Sequence, residues 1–129
     1  MMKVFETDVF IMTVHNDLLI EFKIKKDKTL EPKDVWESRD LSVNYLPGKK
    51  FLVLMEAAED IEVSGEARRA GASEEYSKHV NALALYSSKL LYKIMGSLFL
   101  KINKPKIPTR IFDNRDEAIK WLKNFQNIT

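Results

Sequence analysis

Two apolar runs decide most of what this chain can become: Phe51-Leu52-Val53-Leu54-Met55 and Val80-Asn81-Ala82-Leu83-Ala84-Leu85-Tyr86. A strand with one wet face alternates apolar and polar residues, whereas a run that is apolar at nearly every position suits a strand covered on both faces. Covering both faces takes helices on each side of a sheet, and parallel neighbours need crossovers of a dozen residues or more. The intervening segment can supply one. Ser64 can cap a short helix through Arg68 and Arg69, Gly71 interrupts it, and Ser73-Glu74-Glu75 begins another turn.

The flanking segments complete the pattern. Residues 4–14 and 18–24 read as a hairpin, with Leu18, Ile20, Phe22 and Ile24 alternating with Leu19, Glu21, Lys23 and Lys25. His15-Asn16-Asp17 is the expected turn, Asn and Asp taking the left-handed conformation that a tight turn requires. Residues 29–31 are expected to open a helix with Pro32 in its first turn, where a missing N–H does no harm. That helix carries Val35, Trp36, Val43 and Tyr45 and stops at Pro47-Gly48; residues 57–63 are acidic and irregular. A helix over 89–102 follows the second run, N-capped by Ser87 or Ser88 and ended by Asn103 before Lys104-Pro105. Strand 107–112 comes next, then the capping box Asn114-Arg115-Asp116-Glu117 and a helix with Ala118, Trp121, Leu122 and Phe125 on one face. The expected class is α/β, in the order β-β-α-β-α-β-α-β-α. It has a mixed sheet of about five strands (N-terminal antiparallel hairpin plus parallel strands) and about four to five helices. With 129 residues the chain forms one domain, 1–129.

Helix 89–102 is more apolar than its place requires. At about 100° per residue, Leu90, Ile94, Leu98, Leu91, Ile102, Met95, Phe99 and Tyr92 sweep an arc of roughly 200°, whereas a surface helix needs about 100°. It is also well short of the ~20 residues that cross a bilayer, so it can lie on a membrane but not span one. From 76 to 112 there is no Asp or Glu, and seven positive charges: Lys78, Lys89, Lys93, Lys101, Lys104, Lys106 and Arg110. The remainder holds 14 basic and 19 acidic residues, a balance of −5 hidden within the net charge of +2. Such segregation concerns partners rather than fold. It leaves three readings: a buried helix among solvated lysines, an anion- or membrane-facing surface, or a protein-binding groove.

Little else points to chemistry. There is no cysteine, and His15 and His79 lack the His-x-x-x-His spacing of a metal site. The acids Glu56, Glu59, Asp60 and Glu62 read as a solvated edge rather than a tuned pair. The four glycines never cluster into a phosphate loop, and the basic stretch 101–110 lacks the interleaved aromatics of single-strand binders. No catalytic residue, metal, cofactor or nucleic-acid partner is expected. Glu6 and Asp8 stand where a signal peptide needs its apolar core, which predicts a cytoplasmic protein.

Several motifs carry a family resemblance: Ala82-Leu83-Ala84-Leu85, Met95-Gly96-Ser97-Leu98-Phe99-Leu100, Asn103-Lys104-Pro105, Pro108-Thr109-Arg110-Ile111-Phe112 and Ala118-Ile119-Lys120-Trp121-Leu122. With the element order they resemble the STAS domain of the anti-sigma-factor antagonist SpoIIAA, and more closely a bacterial group of small SpoIIAA-like proteins, also described as STAS/SEC14-like. The resemblance implies a compact α/β domain with regulatory or lipophilic-ligand-binding relatives. The antagonists carry a phosphorylated residue in an Asp-Ser-Ser/Thr-Gly turn. Here the matching place reads Glu62-Val63-Ser64-Gly65, which lacks the Asp and one hydroxyl residue, so Ser64 stands between a phosphorylation site and a plain N-cap.

The expectation is therefore a non-enzymatic domain that binds a lipophilic anion or an anionic membrane surface, peripheral on the membrane's inner face. Its site residues would be Lys89, Tyr92, Lys93, Phe99, Leu100, Lys101, Lys104, Lys106 and Arg110. The alternative is a protein-interaction regulator with a protein partner and Ser64 as phospho-switch. Monomer and homodimer both stay open.

Overall fold

The computed structural model describes residues 2–56, 60–87 and 89–126, without the side chain of Leu91. Ser88, the alternative cap of the long helix, and residues 57–59 of the acidic stretch lie outside that set. In chain order the elements are β1 (Lys3–Glu6), β2 (Phe10–Val14), β3 (Leu19–Ile24), β4 (Thr29–Leu30), α1 (Pro32–Tyr45), β5 (Phe51–Glu56) and β6 (Glu62–Val63). Then come α2 (Gly65–Gly71), α3 (Glu74–Ser77), β7 (Val80–Tyr86), α4 (Leu90–Leu98), β8 (Thr109–Phe112) and α5 (Arg115–Leu122). A π turn, Phe99–Asn103, prolongs α4, and a 3-10 turn, Lys123–Phe125, prolongs α5.

Six strands form one mixed sheet in the order β1-β2-β3-β5-β7-β8. β1, β2 and β3 pair antiparallel, and β3, β5, β7 and β8 run parallel. The hairpin and the parallel strands thus share one sheet, as the sequence predicts. The two apolar runs are its central strands, and their alternate residues serve opposite faces. Leu52, Leu54, Ala82 and Ala84 pack with Ala118 and Leu122 of α5, while Val53, Val80 and Leu83 face the other side. On that side Phe10, Met12, Ile20 and Phe22 join Val35 of α1 and Ala67 and Ala70 of α2. Complete burial of each large side chain contributes about 1.5–3 kcal/mol, so both runs are anchored from two directions.

Four local readings need correction. The stretch 4–14 is not one strand but two, because Thr7 makes a turn: its Oγ1 accepts from Val9 N and Phe10 N, each at 3.1 Å, and its own N–H donates to Phe10 O at 2.9 Å. This adds a strand beyond the expected number. In the next turn the left-handed residue is Leu18 (φ 64°), not Asn16 or Asp17, and His15 N donates to Leu19 O at 2.8 Å to close it. Such a placement matches a three-residue hairpin loop, whose last residue is usually Gly. Thr29 and Leu30 form β4, a short parallel bridge to β6, instead of opening a helix. The helix begins at Pro32, where Glu31 N donates to Asp34 Oδ2 at 2.8 Å. Strand β8 starts at Thr109, two residues later than predicted.

Candidate functional site

α4 follows β7 and crosses back over the sheet toward β8. Lys89 is its N-cap residue, and Ser87 Oγ accepts from Lys89 N at 3.1 Å. At its other end Lys104 adopts φ 48°, a left-handed residue that terminates the π turn where Asn103-Lys104-Pro105 predicts a stop. Gly96 lets the helix sit close to the sheet: a Cβ there would lie 2.9 Å from Ile111 Cδ1 and 3.2 Å from its Cγ1.

Beyond that contact α4 stands away from α1 and α2, and a cavity of about 150 Å³ lies between these helices and the sheet. Phe22, Val53, Met55, Leu83 and Leu85 form its floor from the strands. Val35, Ala67 and Gly71 form its sides, and Tyr92, Met95, Gly96 and Phe99 its roof. Small residues on α2 and α4 facing large ones on the strands leave the space unfilled. Among the described residues the lining contains no carboxylate, histidine, lysine or cysteine.

Four side chains of the described lining carry polar groups. Ser38 Oγ donates to Val35 O at 2.7 Å and is thereby satisfied within α1. Burial among apolar neighbours pushes the Tyr76 phenol up to about 12, so it is a neutral hydroxyl across the physiological range. Arg68 Nη1 donates to Val63 O at 2.7 Å, and the guanidinium pairs with no carboxylate among the described residues. Tyr92 ties the roof down: its hydroxyl accepts from Ile61 N at 3.1 Å.

The site residues expected from the sequence divide between surfaces. Tyr92 and Phe99 line the cavity, and Leu100 is half-buried. Lys93 donates to Asp113 Oδ1 at 2.8 Å, so the first acid beyond the acid-free segment engages it. Lys89, Lys101, Lys104 and Lys106 are exposed near the two ends of α4. Arg110 belongs to the other side of the sheet. It stacks on Phe112, which packs with α5, while the intervening Ile111 meets Gly96. The outermost edge of α4 is therefore not Tyr92, Phe99 and Leu100 but Leu90, Ile94, Leu98 and Ile102. Ser64 is the N-cap of α2, its Oγ accepting from Ala67 N at 3.0 Å.

The other polar cluster lies on the α5 side. Glu21 accepts from Arg115 Nε at 2.8 Å and Nη2 at 2.6 Å and contacts His15 Nε2 at 2.7 Å. The Arg115 guanidinium, ahead of His15, holds the Glu21 carboxyl below its ordinary range against the opposing effect of burial. Tyr86 OH donates to Glu56 Oε1 at 3.1 Å. Among the described residues no group of three or more His, Cys, Asp or Glu could hold a metal ion. No helix among them is long and apolar enough to cross a membrane.

The family described as "Domain of unknown function (DUF7793)" matches residues 12–126, nearly the whole chain. This chain belongs to the DUF7793 family. The matched region begins inside β2 and contains every residue that lines the cavity. The DUF7793 chain is also similar in structure to an uncharacterized protein from Shewanella loihica PV-4, of the DUF3478 family with a SpoIIAA-like fold. The TM-score is 0.60 at 14% identity, covering 95% of this chain and 92% of the other. That likeness establishes the SpoIIAA-like fold and nothing of activity. A protein of unknown function from Arthrobacter sp. FB24 matches with a TM-score of 0.31 at 17% identity, over 87% of this chain and 97% of its own. No curated protein matches the DUF7793 chain.

Proposed function

We propose that this DUF7793 domain binds a small lipophilic anion, its apolar part in the cavity beneath α4 and its charged end toward Arg68. The observation that carries the proposal is the cavity: about 150 Å³, walled among the described residues mainly by aliphatic and aromatic side chains, with the Arg68 guanidinium beside them. An enclosed apolar cavity of that size holds a ligand as large as benzene; this one opens to solvent, so a longer acyl chain can extend from it. Each Å² of apolar ligand surface removed from water contributes roughly 25 cal/mol, and a guanidinium recognises a carboxylate or phosphate through paired N–H groups. Among the described residues the lining offers no general base and no activated nucleophile, which supports binding rather than turnover.

Calorimetric titration with decanoate tests this. The wild type should show saturable binding at one site. Met95→Trp, which fills the space from the roof, should weaken it at least tenfold while circular dichroism reports an intact fold; Val63→Phe fills it from another wall should the first variant misfold. Arg68→Gln should weaken decanoate but leave decanol unchanged. Absence of saturable binding, or equal affinity in the filled variants, contradicts the proposal.

A further inference from the structure

Leu90, Ile94, Leu98 and Ile102 are 70%, 49%, 49% and 72% exposed, the most open large apolar side chains of the helices and helical turns among the described residues. Leu90, Ile94 and Leu98 recur every fourth residue of α4 as a stripe, since at about 100° per residue each drifts only about 40° from the last, and Ile102 lies exposed in the π turn that follows. Lys101 is exposed next to Ile102, and Lys104 and Lys106 are exposed just past it. No acid occurs from 76 to 112, and the bordering Asp113 is engaged by Lys93.

From these features we infer that the outer face of α4 docks on an anionic lipid bilayer, the stripe entering the headgroup boundary and the lysines meeting lipid phosphates. A helix with an apolar edge and lysines beside it is the arrangement that lies in such an interface. Charge selects the bilayer over a second copy of the chain. A two-fold contact through this stripe would bring Lys101 of each copy toward like charge, whereas anionic headgroups complement it. The inference concerns the outer face of α4 and stands apart from the cavity reading, which uses the inner one. Together they would place the cavity's roof at the lipid surface.

Co-sedimentation with phosphatidylglycerol–phosphatidylcholine vesicles provides the test. The wild type should pellet with mixed vesicles at low salt, should not pellet with phosphatidylcholine alone, and should be released as salt screens the charges. Each lysine near an anionic surface contributes roughly a fivefold factor, so the triple variant Lys101→Gln, Lys104→Gln, Lys106→Gln should bind on the order of a hundredfold more weakly. Ile94→Ser with Leu98→Ser should lose vesicle binding with an unchanged melting temperature and unchanged decanoate affinity. The inference is overturned by wild type that stays in the supernatant with anionic vesicles, by variants that pellet like wild type, or by concurrent loss of decanoate affinity. It is also overturned if the serine variant merely dissolves a dimer that never bound vesicles.

Discussion

Ser64 Oγ accepts from Ala67 N at 3.0 Å, and that one bond satisfies a donor that the first turn of α2 would otherwise leave unpaired. Ser64→Ala should therefore lower stability by about 0.5–2 kcal/mol in urea denaturation. Ser64→Asp should stay near wild type, because Asp caps as well and its charge suits a helix N-terminus. Equal destabilisation by Asp and Ala would show that something other than the cap holds Ser64. At this scale the sequence was legible where a side chain bonds to its own backbone neighbours, as at Ser64, Ser73 and Asn114. It was illegible where tertiary context overrides local preference. Leu18 takes a left-handed conformation that favours Gly or Asn, and its side chain packs against the main core. No local rule selects Leu for that place.

Among the elements, α4 shows both what periodicity reveals and where it stops. An apolar arc of roughly 200° announces that two faces of the helix have apolar work, but it does not say which edge turns inward. Tyr92 and Phe99 turn in, under the demands of Ile61 N and the Val53–Val80–Leu83 cluster, and the aliphatic stripe is left outside. The π turn at Phe99–Asn103 adds a phase change that a uniform helical wheel cannot contain. Gly96 sets how closely the helix approaches the sheet. Replacing it with Ala gains helix propensity of about 1 kcal/mol against a small displacement of Ile111, so Gly96→Ala should lie within about 1 kcal/mol of wild type. Gly96→Val also crowds Leu85 and should destabilise by about 1–3 kcal/mol on thermal melting. A Val variant that melts with wild type would mean that α4 is not seated on Ile111. The Thr7 turn escaped the sequence for a related reason: a threonine hydroxyl makes it, without the Gly, Pro or Asn-Gly that usually marks a reversal.

The whole molecule is a sheet with α5 on one side and α1, α2 and α4 on the other, and the two sides are finished differently. The α5 side is dense and ends in the hydrogen-bonded cluster of Arg115, Glu21 and His15. The other side keeps an apolar cavity beneath a helix whose outer edge is also apolar. The apolar runs disclosed the sheet because a covered strand needs nearly every residue apolar. The cavity was hidden because it arises from distances between elements far apart in sequence. The chain's own methionines give direct access to it. Met55 and Met95 line the cavity from floor and roof, Met12 is enclosed against Ser42 of α1, and Met2 lies on the surface. Methyl resonances of methionine-labelled protein, followed while decanoate is added up to its micelle limit, test the binding claim most directly. Met55 and Met95 should shift together and saturate with one affinity while Met12 and Met2 hold still; resonances that all stay fixed, or a largest shift at Met2, would contradict it.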